Sequence, residues 1–412
     1  MDSLISYITI FFITAALIFI GFFGEIFYKK AGVSEYIFLI LIGIFLGPVL
    51  KIFPYSLIVQ ILPYVAQLTL AMIMLEIGLN IKLEDFLKEG KSAILRTIFY
   101  VSISIIIIFY VFKFVFGWSD YSSFFLATII GGETTTAVVP YLAKKLEDDR
   151  FFINVSLEAS LNSVVLIVLF TFGLNSYLAS VPFSIVGFNS IITSIISQIS
   201  IGVFIGFIGA IIWIEFAKRF WLEEFFYIAT IGYTLALYAF ISLANGSPIL
   251  GVLTFGFVLL NNKDFAKIFR MQMNEQILDL QVNYVKTFQK EITFFLRTYF
   301  FFLLGLVITI DKLFSLLTYE YLAVAVLALL ASRFIAVKVS TAVKSYEKAY
   351  FVMMAQGLTP AVLSSLALYY ALPEAHYIVT LTSLIIIVTN AITVAGWAKA
   401  SSSLAKNKET IK

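Results

Sequence analysis

Apolar residues occur along the chain in long blocks separated by short polar segments. Each block holds about 17 to 25 residues, which is the length of helix that crosses a hydrocarbon core of about 30 Å. The pattern predicts an all-α polytopic membrane protein with about 13 transmembrane helices. The expected spans are at about 4–24, 35–53, 57–79, 93–116, 120–143, 152–178, 190–217, 223–243, 246–261, 291–310, 314–337, 347–371 and 376–397.

Basic residues indicate how these spans are oriented, because Lys and Arg in short loops stay on the cytoplasmic side. An odd number of spans puts the two termini on opposite faces. With the amino terminus outside, almost all of the 28 Lys and Arg residues fall on inner segments or inner helix ends. The exceptions are Lys51, Lys113 and Lys312 on the outer side and Arg297 within a span. We therefore expect an amino terminus outside the cell membrane (plasma membrane) and a cytoplasmic carboxyl terminus.

Composition excludes several function classes. Hydrophobic residues make up 61% of the 412 residues and charged residues 13%, against about 25% charged residues in soluble domains. Cysteine is absent, so disulfides and thiolate metal sites are excluded. A net charge of +3 with scattered basic residues argues against nucleic-acid binding. We expect one transmembrane transporter domain over 1–412, with no soluble domain, no enzymatic activity and no cofactor.

Four charged residues lie within the predicted spans: Glu76, Glu133, Glu158 and Arg297. A charge facing lipid at mid-span costs about 2.5 to 3.5 kcal/mol on insertion scales, so such residues usually face a partner or a wet cavity. Counted from the cytoplasmic ends, Glu158 and Arg297 lie at similar depth. They are predicted to form a structural ion pair between the sixth and tenth spans.

Glu133 follows Gly131 and Gly132 and precedes three threonines, a composition that is poor for the centre of a helix. The helix over about 120–143 is therefore expected to break here. Broken transmembrane helices persist where backbone lines a cavity, and carbonyls beside a carboxylate suit a cation. The alternative is a Gly-Gly packing notch with threonines bonded to their own helix, which leaves Glu133 unexplained.

A second interruption is expected in the helix over about 347–371, at Gly357-Leu358-Thr359-Pro360. The two interrupted spans cross in opposite directions, and paired interruptions of this kind indicate the binding site of a transporter. Asn162 and Ser163 of the sixth span are expected about 17 Å deep, near the depth of Glu133.

These residues predict one cation and proton site formed by Glu133, Thr134, Thr135, Asn162 and Ser163. Supporting or gating roles are assigned to Glu76, Thr136 and Thr359. Glu76 lies near the cytoplasmic end of its span, where its long side chain can reach water or Lys82.

At these residues the chain resembles the monovalent cation:proton antiporter superfamily, as a sodium/proton exchanger-like sequence with potassium-efflux-like features. In this family an aspartate that carries ion and proton follows the asparagine, whereas this chain has Ser163 there. The matching motifs are Leu75–Asn80, Thr135–Val139, Glu158–Ser163, Phe295–Arg297 followed by Phe300–Phe302, and Gly357–Pro360.

The resemblance implies a fold of two inverted repeats. It also implies a core at about 93–178 and 314–397, a dimerisation panel at about 4–79 and 223–310, and a linker helix at about 190–217. Movement of core against panel would give alternating access, and the protein is expected to be a homodimer.

The resulting hypothesis is a secondary antiporter that exchanges protons for Na+ or K+, with Li+ a further candidate, across the lipid bilayer. Glu133 would be the exchangeable carboxylate that binds either proton or cation. Two alternatives stay open. A transport-inactive sensor or scaffold that kept the fold would also explain Ser163, and a proton-independent uniporter or solute carrier would need no exchangeable acid.

Overall fold

A computed structural model describes residues 7–31, 34–135, 149–183, 185–220, 223, 225–269, 275–340 and 346–410. Within these ranges the regular structure is entirely helical. The helices are α1 (Tyr7–Ala31), α2 (Glu35–Ile44, continued by a π-helical turn Phe45–Val49), α3 (Tyr55–Gly78), α4 (Leu83–Phe114), α5 (Asp120–Ile130), α6 (Asp149–Leu178), α7 (Ile185–Phe220), α8 (Phe226–Leu243), α9 (Pro248–Leu260), α10 (Asn262–Phe269), α11 (Glu275–Leu306), α12 (Ile310–Leu313), α13 (Leu316–Ser340), α14 (Glu347–Val352), α15 (Leu358–Tyr369) and α16 (Ala375–Thr410).

Each predicted span corresponds to one of these helices or to a pair of them, which confirms the all-α polytopic fold. In the described ranges, seven helices are long and apolar enough to cross a membrane, and shorter apolar helices such as Pro248–Leu260 and Leu358–Tyr369 accompany them. Two helices begin well before the predicted spans, α4 at Leu83 and α11 at Glu275. The first turn of α4 carries Glu84 and Asp85, so the length of the apolar block alone did not include it.

Serine residues begin several helices. Ser34, Ser119 and Ser247 each precede a first turn and accept a hydrogen bond from a backbone N–H of that turn. Pro248 occupies the first position of α9. A backbone N–H at this position would have no acceptor within the helix, so the proline removes no hydrogen bond. The amino-terminal starts of these helices are thus specified by local sequence.

The chain divides into two compact units. The first comprises Met1–Ala66, Ser92–Gly173 and Phe295–Lys412, and the second comprises Gln67–Lys91 and Leu174–Phe294. All predicted site residues except Glu76 belong to the first unit. These units are bounded differently from the expected core and panel, and the division into core and dimerisation panel stays a prediction.

Within the first unit, α2 and α11 approach at backbone distance. A Cβ atom added to Gly43 would lie 2.3 Å from the carbonyl oxygen of Phe302 and 2.7 Å from the Cα atom of Gly305. Small residues at such a crossing let membrane helices pack closely. Two turns earlier on α2, the ring of Tyr36 stacks on that of Phe301, with 4.2 Å between the ring centroids.

Candidate functional site

The fifth predicted span is broken where the sequence predicts. Helix α5 ends at Ile130, and Gly132 has a φ of +90°, a backbone conformation that favours glycine. A Cβ atom added to Gly132 would lie 3.0 Å from the Cα atom of Val101 on α4. The chain then runs without helix from Gly131 to Thr135. Thr136, to which a supporting role was assigned, lies outside the described residues.

The twelfth predicted span is broken as well, slightly earlier than the position of its proline. Helix α14 ends at Val352, and the non-helical segment Met353–Gly357 leads into α15. Pro360 lies in the first turn of α15. Because N–H groups of a first turn have no intrahelical acceptor, the proline begins this half-helix at little cost.

Helix α16 satisfies backbone groups that this second break sets free. The N–H of Gln356 donates to Thr389 Oγ1 (3.1 Å), and Asn390 Nδ2 donates to the carbonyl oxygen of Gln356 (2.7 Å). One turn on, the N–H of Met354 donates to Thr393 Oγ1. Sequence reasoning missed these residues. Their signal was a set of polar side chains at helical spacing in an otherwise apolar span.

Hydrogen bonds between described residues join the two breaks where they cross. The N–H of Thr135 donates to the carbonyl oxygen of Ala355 (2.7 Å), and Gln356 Nε2 donates to that of Ile130 (2.6 Å). The N–H of Gly357 donates to Glu133 Oε2 (3.1 Å). Polar groups that each break leaves outside a helix therefore form hydrogen bonds with the other break.

Glu133 is 1% exposed and lies at this crossing. Its described polar contact is the Gly357 N–H at the amino-terminal end of α15, where the helix dipole is positive. No Lys, Arg or His of the described residues forms an ion pair with it. A buried carboxylate without a cationic side chain requires a proton or a bound cation as its counter-charge.

Neutral oxygen-bearing side chains surround the same crossing. Asn162 on α6 is fully buried, and its Nδ2 donates to Thr134 Oγ1 (2.9 Å). The Oδ1 atom of Asn162 has no hydrogen-bond donor in the described part of the chain. Thr135 lies against Gly357, because a Cβ atom added to Gly357 would lie 2.4 Å from Thr135 Oγ1. Amide and hydroxyl oxygens beside a carboxylate are ligands that hard cations accept.

Ser163, which stands where the resembling family has its aspartate, is 2% exposed. Its hydroxyl donates to the carbonyl oxygen of Ala159, one turn back on α6 (3.2 Å). Thr359, 3% exposed, lies in the first turn of α15. Across the ranges that the structure describes, no three His, Asp or Glu side chains come together as a group that could hold a metal ion.

The predicted pairing of Glu158 with Arg297 is wrong. Glu158 is 1% exposed and binds two other arginines: Arg96 Nε lies 2.9 Å from Oε2, and Arg333 Nη1 donates to Oε1. Arg96 comes from α4 and Arg333 from α13, and the two are 1% and 0% exposed. Depth in the membrane indicated the level of Glu158 but not its lateral neighbours.

Further contacts hold this cluster in place. Arg333 Nε donates to the carbonyl oxygen of Tyr350 (2.9 Å), directly before the second break. The guanidinium of Arg96 lies 4.0 Å from the centroid of the Tyr350 ring, and that of Arg333 lies 4.7 Å from the Tyr100 centroid. Cation–π contacts of this kind stabilise desolvated guanidinium groups.

Arg297 pairs instead with Glu35. Arg297 Nη2 lies 2.9 Å from Glu35 Oε1, and the glutamate side chain is 5% exposed. The reason is the close packing of α2 on α11 at Gly43 and Gly305, which brings the first turn of α2 beside Arg297. Glu35 was missed because it stands at the predicted boundary of a span.

Glu76 lies in the second unit, near the carboxyl end of α3, and is partly exposed. Its backbone carbonyl accepts a hydrogen bond from Asn80 Nδ2 (2.8 Å). The structure records no ion pair between Glu76 and Lys82, both of which are described. Its supporting or gating role stays a prediction.

The chain is similar in sequence to one family of known proteins. The family model described as "Sodium/hydrogen exchanger, transmembrane" matches residues 13–398. The chain belongs to the sodium/hydrogen exchanger family. The resemblance to a sodium/proton exchanger-like family that the motifs indicate is thereby confirmed. No protein with a curated description matches the chain in sequence.

Two solved structures share the fold of this exchanger-family chain. One is the sodium proton antiporter MjNhaP1 from Methanocaldococcus jannaschii at pH 8, with a TM-score of 0.79 and 15% identity over 97% of this chain and 99% of that one. The other is an electron-microscopy map of MjNhaP1, with a TM-score of 0.73 and 16% identity over 96% and 98% of the two chains. At such identities the likeness concerns the fold.

Proposed function

We propose that this exchanger-family protein is a secondary antiporter that exchanges protons for a monovalent cation, Na+ or K+. Glu133 is the exchangeable carboxylate. The observation that carries the proposal is the place of Glu133: buried at the crossing of two interrupted helices, with no described basic side chain paired to it. A transporter site at such a crossing puts backbone dipoles and carbonyls beside the ion.

The cation is held by oxygen atoms from two elements. The first break supplies Glu133, Thr134 and Thr135, and α6 supplies the Oδ1 atom of Asn162, which has no donor among the described residues. Ser163 adds the free lone pairs of a hydroxyl whose proton is already donated to Ala159. Thr136, Thr359 and Glu76 act in support or gating.

Exchange is a competition for one carboxylate. A proton neutralises Glu133. A cation that enters among the neutral oxygens displaces this proton, because the buried carboxylate needs either a proton or a cation as its counter-charge. Glu158 does not take part, since two arginines already hold it. One exchangeable charge then favours one proton per monovalent cation.

Alternating access is proposed to follow from movement of the core (about 93–178 and 314–397) against the panel (about 4–79 and 223–310), in a plasma-membrane homodimer. The amino terminus is outside and the carboxyl terminus is cytoplasmic. Support for the orientation comes from the distribution of lysine and arginine among the short loops.

The experiment is proton flux in reconstituted vesicles, driven by gradients of Na+, K+ and Li+ in turn. Glu133→Gln keeps the size of the side chain and removes its exchangeable charge, so exchange is expected to fall to the level of protein-free vesicles. Glu84→Gln is the matched control, because Glu84 is 74% exposed and pairs with Lys88 on the helix surface. It is expected to exchange at the wild-type rate.

Exchange at the wild-type rate in Glu133→Gln would refute the carrier assignment. Glu133→Asp adds a graded result, since a shorter carboxylate keeps the charge and should retain exchange with a higher cation concentration at half-maximal rate. A wild-type protein that moves solute without proton flux, or moves none of the three cations, would instead favour a uniporter or a non-transporting sensor.

A further inference from the structure

Two buried amide side chains meet at the second break, Gln356 within it and Asn390 on α16. Their nitrogen atoms donate to backbone carbonyl oxygens, but their own oxygen atoms take no part in these bonds. Gln356 Oε1 and Asn390 Oδ1 have no hydrogen-bond donor in the described part of the chain. Buried polar atoms without a protein partner usually bind water or an ion, so these two oxygens are candidate ligands.

The neighbours of each amide determine which of its two terminal atoms is the oxygen. Asn390 Nδ2 lies 2.7 Å from each of two carbonyl oxygens, those of Gln356 and Ile386. Gln356 Nε2 lies 2.6 Å from the carbonyl oxygen of Ile130. A carbonyl oxygen only accepts hydrogen bonds, so the amide atom that faces it must be the nitrogen. The atoms without a partner are therefore acceptors.

Both amides are attached to the backbone that binds Glu133. Gln356 directly precedes Gly357, whose N–H donates to Glu133 Oε2. The side chain of Gln356 reaches across to Ile130, the last residue of α5 and three residues before Glu133. Asn390 in turn binds the carbonyl group of Gln356 itself. The two amides thus belong to the crossing and support it from the second break.

Oxygen atoms without donors reach the crossing from the first break as well. Asn162 Oδ1 on α6 likewise has no donor among the described residues, and its Nδ2 binds Thr134. Amide oxygens and the carboxylate of Glu133 together exclude an anionic ligand. A water molecule can donate to the amide oxygens but leaves the buried carboxylate charge unbalanced. A monovalent cation balances that charge and accepts neutral oxygens as ligands.

We propose that Gln356 and Asn390 are further ligands of the transported cation, through Gln356 Oε1 and Asn390 Oδ1. This inference rests on the proposed antiport and extends its ligand set to the second break and to α16. Amide oxygens from two separate segments then hold the ion against one carboxylate. Because discrimination among cations depends on the number and spacing of such oxygens, the two residues also influence which alkali cation is preferred.

A purely structural role of the two amides is distinguished by Thr389, the neighbour of Asn390. Thr389 Oγ1 accepts the N–H of Gln356 (3.1 Å) and donates to the carbonyl oxygen of Ile385 (2.7 Å). Thr389 therefore supports the same backbone segment, but both sides of its hydroxyl have partners. Thr389→Val removes support from Gln356 alone, whereas Asn390→Leu removes support and a proposed ligand together.

The test is isothermal titration calorimetry of the purified full chain with Na+, K+ and Li+, at constant ionic strength set with choline. Asn390→Leu and Gln356→Met are each expected to weaken binding of the preferred cation on the order of tenfold, as loss of an oxygen bound to a charge predicts. Thr389→Val should bind within about threefold of the wild type. Asn390→Asp loses the amide nitrogen but keeps an oxygen, so it should bind at least as tightly as the wild type.

The ligand assignment would be overturned by wild-type binding in both Asn390→Leu and Gln356→Met, or by an equal loss in Thr389→Val. Asn390→Asp binding as weakly as Asn390→Leu would likewise assign Asn390 to support of the backbone alone. If Asn390→Leu does not fold, Gln356→Met decides the outcome. A wild-type chain that binds none of the three cations would overturn this inference together with the antiport. Failure of the carrier assignment alone differs, because Glu133→Gln would then bind and exchange cations normally while the amide variants still lost binding.

Discussion

Two glutamates of the first unit are equally buried and have opposite surroundings. Glu133 and Glu158 are each 1% exposed. Glu158 lies on the continuous helix α6 and is bound by two arginines, whereas Glu133 lies in a break and accepts a hydrogen bond from the Gly357 N–H. Burial alone therefore does not distinguish a carboxylate that arginines hold from one that has no described basic partner.

The backbone around each residue explains the difference. A continuous helix offers Glu158 no free N–H group, so its charge must be balanced by side chains from α4 and α13. The break offers Glu133 a backbone donor at a helix amino terminus, which stabilises negative charge only in part. Under the proposed antiport, the remaining charge is available for a proton or a cation.

The largest expected effect is on stability, at Glu158. Glu158→Gln leaves Arg96 and Arg333 buried without their anion, and breaking a buried pair in this way costs about 3 to 5 kcal/mol. The free energy of unfolding, measured by denaturant titration in mixed micelles, should fall by that amount. An unchanged value would mean that the two arginines find another counter-charge, and the structural assignment of Glu158 would be wrong.

Much of this comparison was predictable from the sequence. Gly131-Gly132 and Gly357 with Pro360 indicate both breaks, because glycine and proline are locally incompatible with helix interiors. Glu133 and Asn162 were expected at one depth, and the structure links them through Thr134. The length of the apolar blocks and local helix propensity therefore suffice to predict the helices and the two breaks.

The partners of Glu158 were not predictable by the same reasoning. Arg96 and Arg333 were counted as orienting charges at cytoplasmic helix ends, yet they are 1% and 0% exposed. A sequence gives the height of a residue along its helix but not which helices are neighbours. Apolar residues on both sides of Arg96 and Arg333 were the available signal that each lies inside its span.

The second expected loss of stability is at Gly132, the residue directly before Glu133. Gly132→Ala forces a side chain onto a φ of +90° and places its Cβ atom 3.0 Å from Val101 Cα. Strain of this kind costs about 1 to 3 kcal/mol, so the melting temperature should fall and exchange should fall with it. Gly232→Ala is the control, because a Cβ atom there would meet no atom within 4 Å. Equal behaviour of the two variants would contradict a strained break.

A loss of stability of the same order is expected at Thr134. Thr134→Val keeps the shape of the side chain but removes the acceptor of Asn162 Nδ2, and an unsatisfied buried donor costs about 1 to 3 kcal/mol. The cation concentration at half-maximal exchange should rise as well, because one candidate ligand is gone. Thr128→Val is matched in type and burial, but that hydroxyl donates to its own helix at Phe124, so it should cost less and leave cation dependence unchanged.

The smallest expected change in stability is at Glu133. Glu133→Gln removes no ion pair among the described residues, and the amide oxygen can still accept the N–H of Gly357. Burying a neutral amide is cheaper than burying a carboxylate, so the free energy of unfolding should stay within about 1 kcal/mol of the wild type or rise. Measured beside Glu158→Gln, this variant should lose exchange while keeping its fold. A large loss of stability would show that Glu133 is held by a charge of its own and that the two glutamates are alike.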